Sequence, residues 1–246
     1  MVLMISNNEK YVDRHELAQV PTPEWTDTWH PLPHIEVVET VQSIVQRIGW
    51  KIEEEKFALA RDQQKLFGVM TFAGASSDKE WHRCVGIRNS HDKSLCVGIT
   101  AGVSVLVCSN LAFGGTTVLQ RRHTSGIDLT EMVTDAIFAL QDEFITLENS
   151  LDILRDKYLT EDEARCVVVQ AAEAKVIASC DILPVLNEFR FSKHKEEFGD
   201  PSQWSLLNAF TEVSHKFTPV KAENCHRRLT RFFGLDGKPP VMRLSC

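Results

Sequence analysis

An α+β fold is what the sequence predicts: an antiparallel sheet with an N-terminal helix, then a long heptad-patterned helix and a helical C-terminal half. Two observations carry this. Between residues 50 and 123, apolar residues alternate or run in short β-branched stretches broken by polar turns. From Asp128 onward they recur at steps of three and four. The chain's 246 residues, 43% apolar and 25% charged, suit one large domain or two small ones.

Residues 1–33 read as an irregular lead-in docked on the body. Pro21, Pro23, Pro31 and Pro33 forbid long regular elements, while Trp25 and Trp29 need cover. Residues 34–127 read as the antiparallel body. It opens with a helix over 34–48, where Ile35, Val38, Val41, Ile44 (or Val45) and Ile48 recur and Gly49 follows. Strands are expected at 50–59 and 65–72 around a polar turn, with Glu53, Glu54 and Glu55 suiting a solvated edge. Two more are expected at 81–88 and 94–101. A hairpin centred near Asp92 would set Gly86 against Gly98 and Ile87 against Val97, leaving one bulky face and one bare glycine face. A turn at Ala101–Gly102 should lead to a strand at 103–108, and the last strand is expected at 116–123. Gly114 and Gly115 lack the lysine and helix of a phosphate loop and read as a turn or bulge.

Residues 128–246 read as a helical region packed on the body. Val133, Ile137, Leu140, Phe144, Leu147, Leu151, Leu154 and Tyr158 form a heptad seam. Its burial is expected on a neighbouring helix or on a second subunit, which makes a homo-oligomer through 133–158 an expectation. Eleven acids stand between 128 and 163 against Arg155 and Lys157, a solvated outer face. Thr160 with Glu163 should cap a helix over 161–179. A short helix is expected near Pro184, another capped at Asp200 with Pro201 first, and a last one over 222–233 before Gly234.

The net charge of −7 argues against a general nucleic-acid coat but leaves room for a local basic groove. No apolar run approaches the roughly 18 residues that cross a bilayer, and MVLMISNNEK has no secretory pattern. Seven widely spaced cysteines suggest free thiols and a cytoplasmic setting without membrane contact.

The loop 89–94, NSHDKS, holds the densest chemistry. Turn geometry alone accounts for Asn89 and Asp92. Arg88, Asn89, His91 and Lys93 are anion-binding candidates, with Arg88 as a fork and Lys93 as a point charge. His91 and Asp92 are weak acid–base candidates. A basic exit follows at Arg121, Arg122 and His123, and the last helix carries His226, Arg227, Arg228 and Arg231. If both clusters face one groove they could hold a phosphate backbone; otherwise they pair with the acidic helix. His82, Cys84, His91, Cys96 and Cys108 match no zinc spacing, so neither metal nor cofactor is expected. Cys108 sits in the run VSVLVC without a nucleophile elbow.

RNSHDKS, VCSNLAF, RRHT and WSLLNAFTEV, with the opening YVDRHELAQVPTPEWTDTWHPLPH, together resemble the phage- and plasmid-borne domain-of-unknown-function family 932. The resemblance spans nearly the whole chain. It implies a mobile-element or prophage origin and an intracellular setting, and brings no reaction, cofactor or catalytic residue. The element order is also similar to the core of single-strand annealing proteins, as fold-level analogy. On that analogy the expected role is single-stranded nucleic-acid binding, as an annealing-type accessory of mobile-element DNA metabolism. Arg88, Lys93, Arg121 and Arg122 would touch phosphates, and Phe113 or Trp81 would stack bases. The alternatives are a protein-binding module using the acidic helix on a host or defence protein, and a hydrolase using His91 and Asp92.

Overall fold

A computed structural model describes residues 10–60, 62–73, 81–105, 111–121, 128–192, 200–217 and 219–245. The fold is α+β. The strands β1 (Lys10–Val12), β2 (Ile52–Ala60), β3 (Lys65–Phe72), β4 (Trp81–Ser90), β5 (Val97–Val105) and β6 (Leu111–Arg121) form one antiparallel meander in chain order. The helices are α1 (Arg14–Ala18), α2 (His34–Arg47), α3 (Leu129–Arg155), α4 (Glu161–Glu173), α5 (Ile182–Phe191), α6 (Gln203–Ser214) and α7 (Pro219–Phe233).

The lead-in holds more regular structure than its prolines suggest, because β1 and α1 precede them. Asp13 and Glu16 close a reciprocal capping box, and Arg14 grips Glu55 of β2 through two hydrogen bonds of 2.6 Å. From Gln19 to Pro33 no helix or long strand forms, as the prolines require.

Two expectations about the sheet are corrected. The 81–105 hairpin pairs Ile87 with Ile99 and Arg88 with Gly98, so Gly98 lies opposite an arginine and not opposite Gly86. No turn forms at Ala101–Gly102. β5 runs through it, with Ala101 paired to Val85 and Gly102 paired to both Cys84 and Phe113. The register against β6 slips on either side of Thr100, so that Gly114 and Gly115 fall in a bulge.

α3 begins at Asp128, whose carboxylate accepts from the Glu131 N–H at 2.9 Å. Its inner positions Val133, Ile137, Leu140, Phe144, Leu147, Leu151 and Leu154 are all buried within the chain. The first four join one core with α2 and the sheet residues Leu66, Met70, Val85, Ile87, Val97 and Ile99. The last three join a second core with Val69, Trp81, Cys84, Val103 and helices α4 to α7. The seam is therefore occupied inside one molecule and not left for a second copy. Tyr158 lies beyond the helix and is exposed.

The helical half differs from expectation at three boundaries. α4 stops at Glu173, where Lys175 takes φ +59° and Val176 N–H reaches the Ala171 carbonyl at 2.8 Å. α6 is capped by Ser202, not Asp200. Pro201 lies outside the helix, where its carbonyl accepts from Leu159 N–H at 2.9 Å. α7 starts at Pro219 and ends before Gly234, whose φ is +74°. α6 is buried on nearly all sides, so both of its stripes pack.

Candidate functional site

The 88–94 hairpin lies against the lead-in. Asn89 Nδ2 donates to the Leu32 carbonyl at 2.8 Å and to His34 Nδ1 at 2.9 Å. His91 Nε2 donates to the same Leu32 carbonyl at 2.9 Å, and His34 Nε2 to the Gln63 carbonyl at 3.1 Å. These assignments follow from the acceptors, since each Nε2 faces a carbonyl oxygen. The two imidazoles stack with centroids 3.8 Å apart and planes 6° from parallel. Asn89 and His91 are 0% and 3% exposed. Both side chains expected to meet an anion are thus engaged with the protein's own backbone.

Asp92 accepts from Ser94 N–H at 3.0 Å and from its hydroxyl, and lies 3.6 Å from the Lys65 ammonium. Burial raises its carboxyl pKa, but the Ser94 hydrogen bonds and the Lys65 charge outweigh it and hold Asp92 below the usual carboxylate range. Burial holds His91 below the usual imidazole range, against the pull of the Leu32 and Pro21 carbonyls. His91 is therefore tied to Leu32, and Asp92 to Ser94 and Lys65, and neither is presented as a poised acid or base.

Arg88 is buried and lies flat over Gly98: a Cβ on Gly98 would stand 2.7 Å from its Nε. The face expected to be bare is roofed there by an arginine. Lys93 is exposed, with Nζ 4.7 Å from the centre of the Trp29 ring. Trp81 is 2% exposed and edge-on to Trp204 at 5.4 Å, so it cannot stack a base.

Arg121 is the last residue of β6, opposite Val97. Its side chain and that of Phe113, and all of Arg122 and His123, lie outside the described residues. α7 packs against β6. Arg227, Arg228 and Arg231 are exposed on it. They donate to Asn224 Oδ1 at 2.7 Å, to the Lys175 carbonyl and to the Pro239 carbonyl at 2.6 Å. Among the described residues no carboxylate pairs with these three. His226 does not share their surface. It is buried 2.7 Å from Ser214 Oγ, which donates to the Thr211 carbonyl at 2.6 Å.

The residues weighed for a metal are not brought together. His82 binds Glu53 at 2.7 Å, Cys84 lies in the second core, and His91 is stacked on His34. Cys108 lies outside the described residues. Burial pushes the Cys84 thiol up and the Cys225 thiol up to about 12. Cys84, Cys96, Cys180 and Cys225 are free thiols. Cys166 is disulfide-bonded, against the expectation of free thiols throughout.

Sequence reasoning missed His34, Gln63, Leu32 and Lys65 as partners of the hairpin. It also missed a second stripe on α3. Phe138, Ile145 and Ile153 are 56%, 54% and 54% exposed, with the exposed acids Asp135 and Asp142 between and beside them. The spacing of those three residues was legible but lay outside the heptad seam. A groove of about 250 Å³ between α2 and the start of α3, lined by Glu36, Glu39, Ser43, Arg47 and Thr130, contains none of the candidates.

No described helix is long and apolar enough to cross a membrane. A family model described as "Domain of unknown function (DUF932)" matches residues 24–233. No curated protein and no solved structure matches the chain.

Proposed function

We propose that this chain, which belongs to the DUF932 domain-of-unknown-function family, binds single-stranded nucleic acid through a basic surface formed by α7 and the end of β6. One observation carries the reading. Arg227, Arg228 and Arg231 stand exposed without a carboxylate partner among the described residues, on a helix packed against the strand that ends in Arg121. Unneutralised guanidinium groups on a chain of net charge −7 invite a polyanion. Lys93 is the one hairpin candidate whose charge faces solvent, and it lies in the turn before Val97, at the same end of the sheet as Arg121. In this reading the protein serves as an annealing-type accessory of mobile-element DNA metabolism, inside the cell.

A salt-dependent mobility shift with labelled single strands tests it. Binding should weaken with salt at a slope of about −0.7 per phosphate contacted. Arg227→Ala/Arg228→Ala should flatten that slope by roughly 1.4. Absence of any shift at low salt, or an unchanged slope in the double variant, sinks the reading.

The exposed stripe on α3 favours a second reading, a protein-binding module that presents Phe138, Ile145 and Ile153 among carboxylates to a basic partner. A stable partner whose capture is lost in Phe138→Ser/Ile145→Ser, while nucleic-acid binding is absent, would favour it over the first.

A further inference from the structure

We propose that residues 21–33 act as an acid-released strap over the 88–94 hairpin, latched by the neutral imidazoles of His34 and His91 together with Asn89. The latch is independent of the nucleic-acid reading, since Arg88 points to the other face of β4 from Asn89 and Lys93 is exposed. The latch itself stands on geometry. The Leu32 carbonyl of the strap accepts from both Asn89 and His91, at 2.8 and 2.9 Å, and the Trp29 ring of the strap lies 4.7 Å from the Lys93 ammonium. Both ends of the strap are anchored, by Arg14 on Glu55 and the buried Leu17 before it and by α2 after it. It can therefore lift as a loop without unravelling the sheet.

Three features make the latch depend on neutral rings. His34 donates from Nε2 to Gln63 and receives the Asn89 amide at Nδ1, so a second proton on Nδ1 would face the amide's own hydrogens. His34 is the first residue of α2, where the positive end of the helix opposes an imidazolium. The rings stack at 3.8 Å, so a charge on one burdens the other.

Lys65 of β3 pairs with Asp92, Arg88 and Lys93 of the hairpin are cations, and Glu24 and Asp27 of the strap are exposed. Burial holds His91 below the usual imidazole range in the folded form, so the latch is complete above about pH 6.5, the ordinary imidazole value. It is lost as pH falls below that.

Hydrogen–deuterium exchange of the full chain without nucleic acid, corrected for intrinsic rates, tests the strap. Peptides covering 21–33 should exchange roughly tenfold faster at pH 5.5 than at pH 7.5, the loss of about one buried hydrogen bond, with α3 peptides unchanged. His34→Gln/His91→Gln can donate to the same carbonyls without titrating and should abolish the rise. Asn89→Ala should raise strap exchange already at pH 7.5. Equal strap protection at both pH values in the unmodified protein overturns the proposal. So does a rise that persists in the glutamine variant or is matched across α3. Should the glutamine variant fail to fold, unchanged strap exchange in Asn89→Ala at pH 7.5 overturns it instead. Because nucleic acid is absent, failure here leaves the binding reading standing, and failed binding leaves the latch standing.

Discussion

Gly98→Ala is expected to destabilise the protein through one side chain, Arg88. The added methyl would stand 2.7 Å from Arg88 Nε, 3.0 Å from Cγ and 3.3 Å from Cδ. Those atoms lie in the middle of the arginine, not at its free end, and Arg88 is buried, so it cannot swing clear. Overpacking of this kind costs about 1–3 kcal/mol. Replacing glycine within a strand returns roughly 0.5–1 kcal/mol, because alanine has less chain freedom to lose. The net should be destabilisation of about 1 kcal/mol, within a span of roughly 0–2.5 kcal/mol. Urea unfolding of the wild type, Gly98→Ala, Arg88→Ala and the double variant closes the cycle. In the Arg88→Ala background the methyl has room, so Gly98→Ala should become neutral or stabilising there. An equal effect of Gly98→Ala in both backgrounds would refute the reasoning and, with it, the pairing of Arg88 with Gly98.

Other consequences are equally open to measurement. Asn89→Ala removes the amide donor from His34 Nδ1 and leaves the Leu32 carbonyl to His91, and should cost about 1–3 kcal/mol in denaturant titration. Leu147→Ala opens a cavity in the second core and should cost about 2–5 kcal/mol, whereas Phe138→Ser on the outer stripe should stay within about 0.5 kcal/mol. Thiol alkylation of the native protein should label the exposed Cys180 first and spare Cys84 and Cys225 until unfolding, read by peptide mass mapping. Asp92 is held below its ordinary pKa, so its contribution to stability is present above about pH 4 and lost as the medium is acidified further. Asp92→Asn should remove that part of the acid dependence in pH-jump unfolding.

Much of the architecture was legible because burial writes itself into spacing. The strand at 65–72 was read at its observed bounds, and the helix from 34 within one residue of its end. The hairpin register was not legible, for a definite reason. Pairing Gly86 or Arg88 with Gly98 differs by two residues, and a two-residue slip keeps every side chain on its own face. Hydrophobic alternation therefore cannot choose between them. The end of α4 was missed because Lys175, not glycine, takes the left-handed conformation there. The hairpin's partners were invisible for another reason. Asn89 and His91 meet the backbone of Leu32, 57 and 59 residues away, and a carbonyl has no sequence signature. What was read as a binding loop from its polar residues is, at Asn89 and His91, a fastening. The charges that remain available on α7 were named from composition alone.

The division of α3 between two cores bears on how the chain is made. The meander is complete once Arg121 has been synthesised, yet the residues that roof its apolar face, Val133 to Phe144, come later in the same helix. At ordinary translation speed that leaves roughly one to five seconds in which α2 alone covers that face. The far half of the helix must then wait for α4 to α7 before its own side is covered. A nascent chain stalled between 121 and 144 should thus hold chaperones longer than one stalled after 233, and the same helix that ends the first exposure begins the second.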